Sequence, residues 1–276
     1  MKITVLTDNN SCGELGSEWG LSFWIEFGER RILLDTGATG LFLENAEKLG
    51  IRVETADCLV LSHAHYDHCG GLPAFFEAVP GVPAYLRAGA GENCYHWKEG
   101  AYGYIGIQPG VLERYRERII PVNGVLELFP NVRIIPHTPA TKVRKTANPS
   151  LLVLENGEYR PDTFDHEQSL VLDDDDGLVI LSSCSHTGPS NIVKDVKKAF
   201  PGRPLKAFIG GLHIYRWTPE QVKELSDEIR AAGIRKIWTG HCTGEAFAYL
   251  KENLGEDAEQ FYAGMNIVIG QEREVL

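Results

Sequence analysis

Three things are scarce in this chain, and each shortage excludes something. Long apolar runs are missing where a leader or anchor would begin. Met1-Lys2 leads into Ile3-Thr4-Val5-Leu6 and then polar residues, too short a stretch for a signal peptide or a membrane span. A soluble, cytoplasmic protein without a membrane partner is expected. Basic residues are also outnumbered: 27 Lys and Arg against 38 Asp and Glu give a formal charge of -11 and a pI near 5.3. Phosphate backbones attract Lys and Arg, so nucleic-acid binding is excluded as the main business, although a local basic pocket for a small anion stays compatible. Paired cysteines are absent too. Cys12, Cys58, Cys69, Cys94, Cys184 and Cys242 contain no C-x-x-C, and a chain this large needs no disulfide staples, so all six read as reduced thiols. Cys58 belongs to a strand, and Cys69 and Cys242 read as small buried fillers. What is present is 276 residues with 43% hydrophobic content, enough for one large α/β domain spanning residues 1–276.

The richest stretch is Ser62-His63-Ala64-His65-Tyr66-Asp67-His68. It follows Cys58-Leu59-Val60-Leu61, an apolar run with the length of a buried strand, so the histidines fall at a strand end or on a loop. In a helix His63 and His65 would stand about 200° apart; at a strand end residues i and i+2 share a side and can reach one ion. Asp67 and His68 are adjacent, point differently, and suit a second ion beside the first. A polar surface loop is the alternative reading. Against it, three imidazoles and a carboxylate within six residues form a dense donor set suited to Zn, Mn or Fe.

Three more apolar runs end in histidine. Leu178–Leu181 leads into Ser182-Ser183-Cys184-Ser185-His186, Lys206–Ile209 into Gly210-Gly211-Leu212-His213, and Lys236–Thr239 into Gly240-His241. In an open α/β arrangement such ends gather along one edge, where sites form. His186 is therefore the candidate for a missing ligand, while a core histidine is the alternative for His213 and His241. Residues 2–7 read as a first strand, and Asp8-Asn9-Asn10 as a turn from which Asp8 or Asn9 faces a site, unless it is an Asx turn and no more. Residues 21–27 and 31–35 read as a hairpin joined at Gly28-Glu29-Arg30. Asp35 then serves as a turn or N-cap carboxylate for a helix at about 40–49. Another helix opens at Leu72-Pro73, and a short strand covers 84–86.

Residues 88–110 carry six glycines among Tyr95, His96, Trp97, Tyr102 and Tyr104, with neither a helical nor a strand period. This segment reads as a lid or pocket wall, its aromatics, Tyr95 and Tyr104 among them, stacking on a flat ligand or packing on the body. Strand alternation returns over 119–135. Lys142, Arg144 and Lys145 form a basic cluster, either a solvated loop or a site for a substrate phosphate. Asp165, His166 and Glu167 precede a strand at 169–172, which Asp173–Asp176 and Gly177 join to 178–182 as a hairpin tip. Helices near 219–231 and 245–253 and a strand at 265–269 complete the chain.

The blocks WGLSFWIEFGERRILLDTG, LSHAHYDHCGGL, SCSHTG, GGLHIY and GHCTG resemble, in order, the metallo-β-lactamase superfamily of metallohydrolases, and within it the branch that includes dihydropteridine-type synthases. The resemblance runs from about residue 3 to about residue 270 and implies an αββα sandwich, two mixed β-sheets face to face with helices on the outer faces. It implies His63, His65 and His186 on one divalent ion and Asp67, His68 and His241 on another, zinc first, with manganese or iron also suited to the donors. Asp35 would brace the histidine loop by hydrogen bonds. Cys184 stands where superfamily members place a metal-bridging Asp, and a thiolate can bind Zn or Fe. His213 would face substrate and donate a proton, and Asp8-Asn9 would lie near the site mouth. Two departures stand out: Trp19 occupies a position where relatives commonly have His, and His137-Thr138-Pro139 continues into Ala140-Thr141-Lys142 instead of a further Gly-His ligand, so His137 reads as structural. The activity implied is metal-assisted hydrolysis or group transfer on a small anionic, phosphate- or diphosphate-bearing and pterin-like molecule, with Asp67 and His213 catalytic. A di-iron redox or oxygen-binding protein on the same ligands, and a non-catalytic metal-stabilised binding protein, are the alternatives.

Overall fold

The computed structural model describes residues 1–137 and 150–270. Its first half runs β1 (Lys2–Thr7), β2 (Ser22–Phe27), β3 (Arg30–Leu34), α1 (Leu41–Lys48), β4 (Cys58–Val60), α2 (Tyr66–Cys69), α3 (Leu72–Ala78) and β5 (Ala84–Arg87). Next come β6 (Cys94–Lys98), β7 (Ala101–Tyr104), α4 (Val111–Arg114), β8 (Ile119–Val122), β9 (Leu126–Phe129) and β10 (Val132–Pro136). The second half holds β11 (Leu151–Glu155), β12 (Glu158–Pro161), β13 (Gln168–Asp174), β14 (Gly177–Leu181), α5 (Pro189–Ala199) and β15 (Leu205–Ile209). It closes with α6 (Pro219–Ala232), β16 (Lys236–Thr239), α7 (Phe247–Leu254), β17 (Ala258–Gln260) and β18 (Asn266–Val268).

Two seven-stranded mixed sheets result, ordered β18-β1-β2-β3-β4-β5-β8 and β17-β16-β15-β14-β13-β10-β9. In the first, the β3, β4, β5 and β8 pairings are parallel; in the second, β14 to β17 are parallel. Side-chain alternation sets the layering, because successive residues of a strand face opposite sides. In β3, Ile32 and Leu34 enter the core between the sheets while Leu33 turns outward onto Phe42 of α1 and Phe75 of α3. In β14, Val179 and Leu181 point inward and Leu178 and Ile180 meet Ile192 and Val196 of α5. Over Ile32–Leu34 and Leu178–Leu181 these strands are continuously apolar because both their faces are covered there. The sandwich is thus helix, sheet, sheet, helix, as expected. Among the described residues, no helix is long and apolar enough to cross a membrane.

A third sheet, β12-β11-β6-β7, stands beside the sandwich. It corrects the reading of 88–110 as segment without period. Tyr95 to Lys98 pair with Ala101 to Tyr104 in a hairpin turned at Glu99-Gly100, and glycines with tyrosines obscured its alternation.

Candidate metal centre

One edge of the sandwich collects the strand ends. The parallel strands β3 and β4 end just before Asp35 and the histidine stretch, and β14, β15 and β16 end before His186, His213 and His241. Ser62 to His65 stay extended, and the chain then turns into α2, whose first turn carries Asp67 and His68. This corrects the expectation of loop for residues 66–69. Close packing needs glycines here: a Cβ on Gly70 would lie 2.1 Å from the Ala38 carbonyl oxygen, and one on Gly210 would lie 1.9 Å from that of Ser182. Asp35, Ser185, His213 and His241 have positive φ (61°, 60°, 51° and 33°), a region uncommon for non-glycine residues that persists where the surroundings enforce it.

Two groups of donor atoms converge. His186 Nε2 lies 3.2 Å from His63 Nε2 and 3.1 Å from His65 Nδ1. Ligands about 2.0 Å from a tetrahedral zinc ion stand about 3.3 Å apart, so this spacing fits one ion. Beside it, His241 Nε2 lies 3.2 Å from His68 Nε2 and 3.2 Å from Asp67 Oδ2, with 4.0 Å between the latter two. Both groups are buried.

The second nitrogen of four rings is engaged, which orients the first. His68 Nδ1 contacts Asp35 Oδ2 at 2.8 Å, and His63 Nδ1 contacts Ser62 Oγ at 2.9 Å. The Ser62 backbone N–H and hydroxyl donate in turn to Asp35 at 2.6 Å each. His241 Nδ1 meets Asn9 Oδ1 at 3.0 Å, and His65 Nε2 meets Asp162 Oδ2 at 3.4 Å. Burial first, then the neighbouring imidazoles, hold His63 and His186 well below the usual imidazole range. Burial opposes charge on His65 and His241 as well, but Asp162 and Asp67 outweigh it and push each up to about 9. Asp67 is held well below the usual carboxylate range, against its burial, by His68 and His241. A divalent cation can replace those protons.

Cys184 Sγ lies 3.2 Å from Cys242 Sγ and 3.5 Å from His213 Nδ1. It also falls within 4.8 Å of donor atoms on His63 and His68, so its sulfur stands between the two groups. Burial pushes the Cys184 thiol up; Cys242, which accepts the His213 backbone N–H at 3.1 Å, is drawn down against its burial by Cys184 and His213. Cys242 is therefore part of the site wall, not a filler. His65, Asp67, His186 and Cys184 line a cavity of about 580 Å³ whose walls include Trp19, Trp97, Lys98, Tyr215 and Arg216.

Several expected residues lie elsewhere. Asp8 is fully buried and holds the His241 backbone N–H (2.8 Å) while closing an Asx turn on Asn10 (3.2 Å), so it cannot contact a substrate. Asn9 is spent on His241 through both its amide atoms. Tyr95 and Tyr104 pack edge-to-face on each other 5.1 Å apart and do not line the cavity; His96 and Trp97 of the same hairpin do. Asp35 does not cap α1, whose N-cap is Gly40. His137 sits on Ser169 and Asp195, apart from both groups. Lys142, Arg144 and Lys145 lie outside the described residues. Trp19 donates its indole N–H to Asp67 Oδ2 at 3.1 Å. Asp162, Cys94 and Arg216 were not anticipated; for Asp162 the available signal was a carboxylate four residues before His166 at the mouth of an apolar strand.

The profile of the family described as Metallo-beta-lactamase superfamily matches residues 20–183. The chain is 30% identical over 265 residues to the 7,8-dihydropterin-6-methyl-4-(β-D-ribofuranosyl)-aminobenzene-5'-phosphate synthase of Methanocaldococcus jannaschii, covering 90% of this chain and 89% of that one. Among solved structures it is similar to Tm1679, described as a metal-dependent hydrolase of the β-lactamase superfamily, with TM-score 0.84, 30% identity and coverage of 98% and 100%. Zinc-bound PqqB from Methylobacterium extorquens shares the fold at TM-score 0.55 and 12% identity, covering 98% of this chain and 100% of that one.

Proposed function

Because the chain belongs to the metallo-β-lactamase superfamily, whose enzymes are metal-dependent, we propose that it is a hydrolase or group transferase holding two divalent ions side by side and acting on a small anionic substrate. The observation that carries this reading is the tetrahedral-edge spacing within His63, His65 and His186, with Asp67, His68 and His241 beside them. Bound ions would supply a water of lowered pKa and neutralise charge on a phosphoryl or carbonyl oxygen. The sulfur of Cys184, central to both groups, favours zinc or iron over manganese; iron would favour the redox reading instead.

The remaining roles belong to the chain's own side chains. Asp67, held by the Trp19 indole, keeps its carboxylate ionised at the reacting edge. His213 presents one ring nitrogen to Cys184, leaving Nε2 to pass a proton to a leaving group. Lys98 and Arg216 at the cavity wall suit an anionic group, and Trp97 and Tyr215 suit a flat ring. The Methanocaldococcus jannaschii relative is named for making a phosphate-bearing pterin compound, and a related substrate would use both features. In this reading residues 1–276 act as one domain with the β6–β7 hairpin as pocket wall or lid.

Elemental mass spectrometry on protein purified without added metal tests the proposal. Close to two zinc ions per chain, reduced in His186→Ala, with turnover of a phosphoester or diphosphate abolished in His63→Ala, is the expected result. Mostly iron with a visible absorption band would transfer the argument to redox chemistry, and no bound metal would end it.

A further inference from the structure

Beside the first donor group lies another buried cluster, His65, Cys94, Asp162 and His166, whose donor atoms fall within 4.8 Å of one another. It has the composition of a metal site, but its hydrogen bonds argue otherwise. The Ala64 backbone N–H donates to His166 Nδ1 at 3.1 Å. That nitrogen must therefore present a lone pair, which puts the ring proton on Nε2. His166 Nε2 stands 3.1 Å from Asp162 Oδ2, as donor to it. The same oxygen lies 3.4 Å from His65 Nε2, while Asp162 Oδ1 accepts the Phe164 N–H at 2.7 Å. Both carboxylate oxygens are thus occupied by N–H donors, and no lone pair on His166 is left for an ion.

We propose that Asp162, with His166 behind it, is a positioning residue that fixes the tautomer and ring orientation of His65, so that Nδ1 of His65 faces His63 and His186. This rests on the reading of those three histidines as the ligands of one ion. The segment that carries Asp162 serves the same group at two further points. The Phe164 ring stacks on His186 at 4.6 Å and 9° from parallel. Glu167 accepts the backbone N–H groups of His186 and Thr187 at 2.7 Å each. Asp162 follows β12 directly, and its N–H bonds to the Leu151 carbonyl of β11 at 3.0 Å. The third sheet therefore reaches the donor group through this one carboxylate as well as lining the cavity.

The test compares wild type, Asp162→Asn and Asp162→Glu as full-length protein. Zinc affinity is measured by competition with a chromophoric chelator, and the His65 ring N–H is followed by proton NMR of zinc-loaded, ¹⁵N-histidine-labelled protein. Loss of an outer carboxylate partner typically weakens metal binding about 10- to 100-fold. The expectation is a loss of that size for one ion in the Asn variant, disappearance or displacement of the His65 Nε2–H signal, and recovery of most of the affinity in the Glu variant. The circular dichroism of all three should match. Wild-type affinity with an unaltered His65 signal in Asp162→Asn would overturn the proposal, as would equal losses in the Asn and Glu variants. A third zinc ion per chain that vanishes in Cys94→Ala would also overturn it, because the cluster would then be a ligand set. Wild type that takes up no zinc would instead defeat the dinuclear reading itself.

Discussion

Asp35 shows at the level of single residues how little of a site needs to touch the substrate. Its two oxygens take the His68 ring, the Ser62 hydroxyl and the Ser62 N–H, and through Ser62 they also orient His63. Asp35→Ala strands these groups without water, a change of the kind that costs about 3–5 kcal/mol; the urea midpoint should fall accordingly, and an unchanged midpoint would refute the bracing role. Protonation gives a second expectation, for the metal-free protein. His65 and His241 are raised from 6.5 to about 9, so the stability they contribute is full below pH 6.5 and is lost as pH rises toward 9. His63 and His186 are lowered; the unfolded chain takes up protons there that the folded chain refuses, so their effect is a loss of stability as pH falls below 6.5. Urea midpoints of the metal-free protein should therefore drop on both sides of neutrality, and a monotonic profile would contradict the assignment. Thiol chemistry gives a third: Cys12 is exposed, whereas burial and Asp57 push the Cys58 thiol up to about 12. An aromatic disulfide reagent at pH 8 should label Cys12 at once and Cys58 only on unfolding.

At the level of elements, the site depends on strand ends that stop in unusual conformations. Gly210 follows β15 with φ of 134° and no room for a Cβ beside Ser182. Gly210→Ala should lower stability by about 3 kcal/mol or more, since both strain and backbone collision oppose it. Gly28→Ala, in open space at φ of 59°, should cost only about 1 kcal/mol; thermal unfolding of the two variants separates the effects. The β6–β7 hairpin supplies rim side chains instead of donors. Trp97→Ala in this hairpin, and Arg216→Ala in the loop between β15 and α6, are accordingly expected to raise KM with kcat little changed, and an equal fall in kcat would place them in the chemistry.

For the whole molecule, individual core strands and outer helices follow from patterning that can be read directly, whereas their arrangement as two facing sheets is what the family resemblance implies. Apolar runs such as Cys58–Leu61 and Leu178–Leu181 marked strands covered on both faces, and four of them ended in histidine. Strand direction is what brings those four ends to one edge, since β4 and β14 to β16 all run toward it. The hairpin of the third sheet is illegible in the sequence because its stability comes from pairing with β11, 55 to 59 residues away, and not from any local period. The choice between a site-facing turn and an Asx turn at Asp8 and Asn9 stays open in the sequence for a related reason. Both are polar residues after a strand, and only the return of the chain at His241 decides that they grip its backbone and ring. For Tyr95 and Tyr104 the sequence leaves ligand stacking and packing on the body both open, because composition identifies an aromatic surface without saying which of its faces meets the cavity; the structure has them packed on each other.

The sequence by itself determined the apolar strands of the two large sheets that end in histidine, the donor-rich stretch His63–His68 and the candidate histidines that close it, because periodicity and donor density are local properties. The tertiary structure alone decided which atoms meet. It placed Cys184 between two donor groups, aimed Trp19 at Asp67, and brought Asp162 from a separate sheet to His65. The last two contacts join residues 48 and 97 positions apart, and a hydrogen bond over such a separation is fixed by packing geometry, which no window along the chain contains.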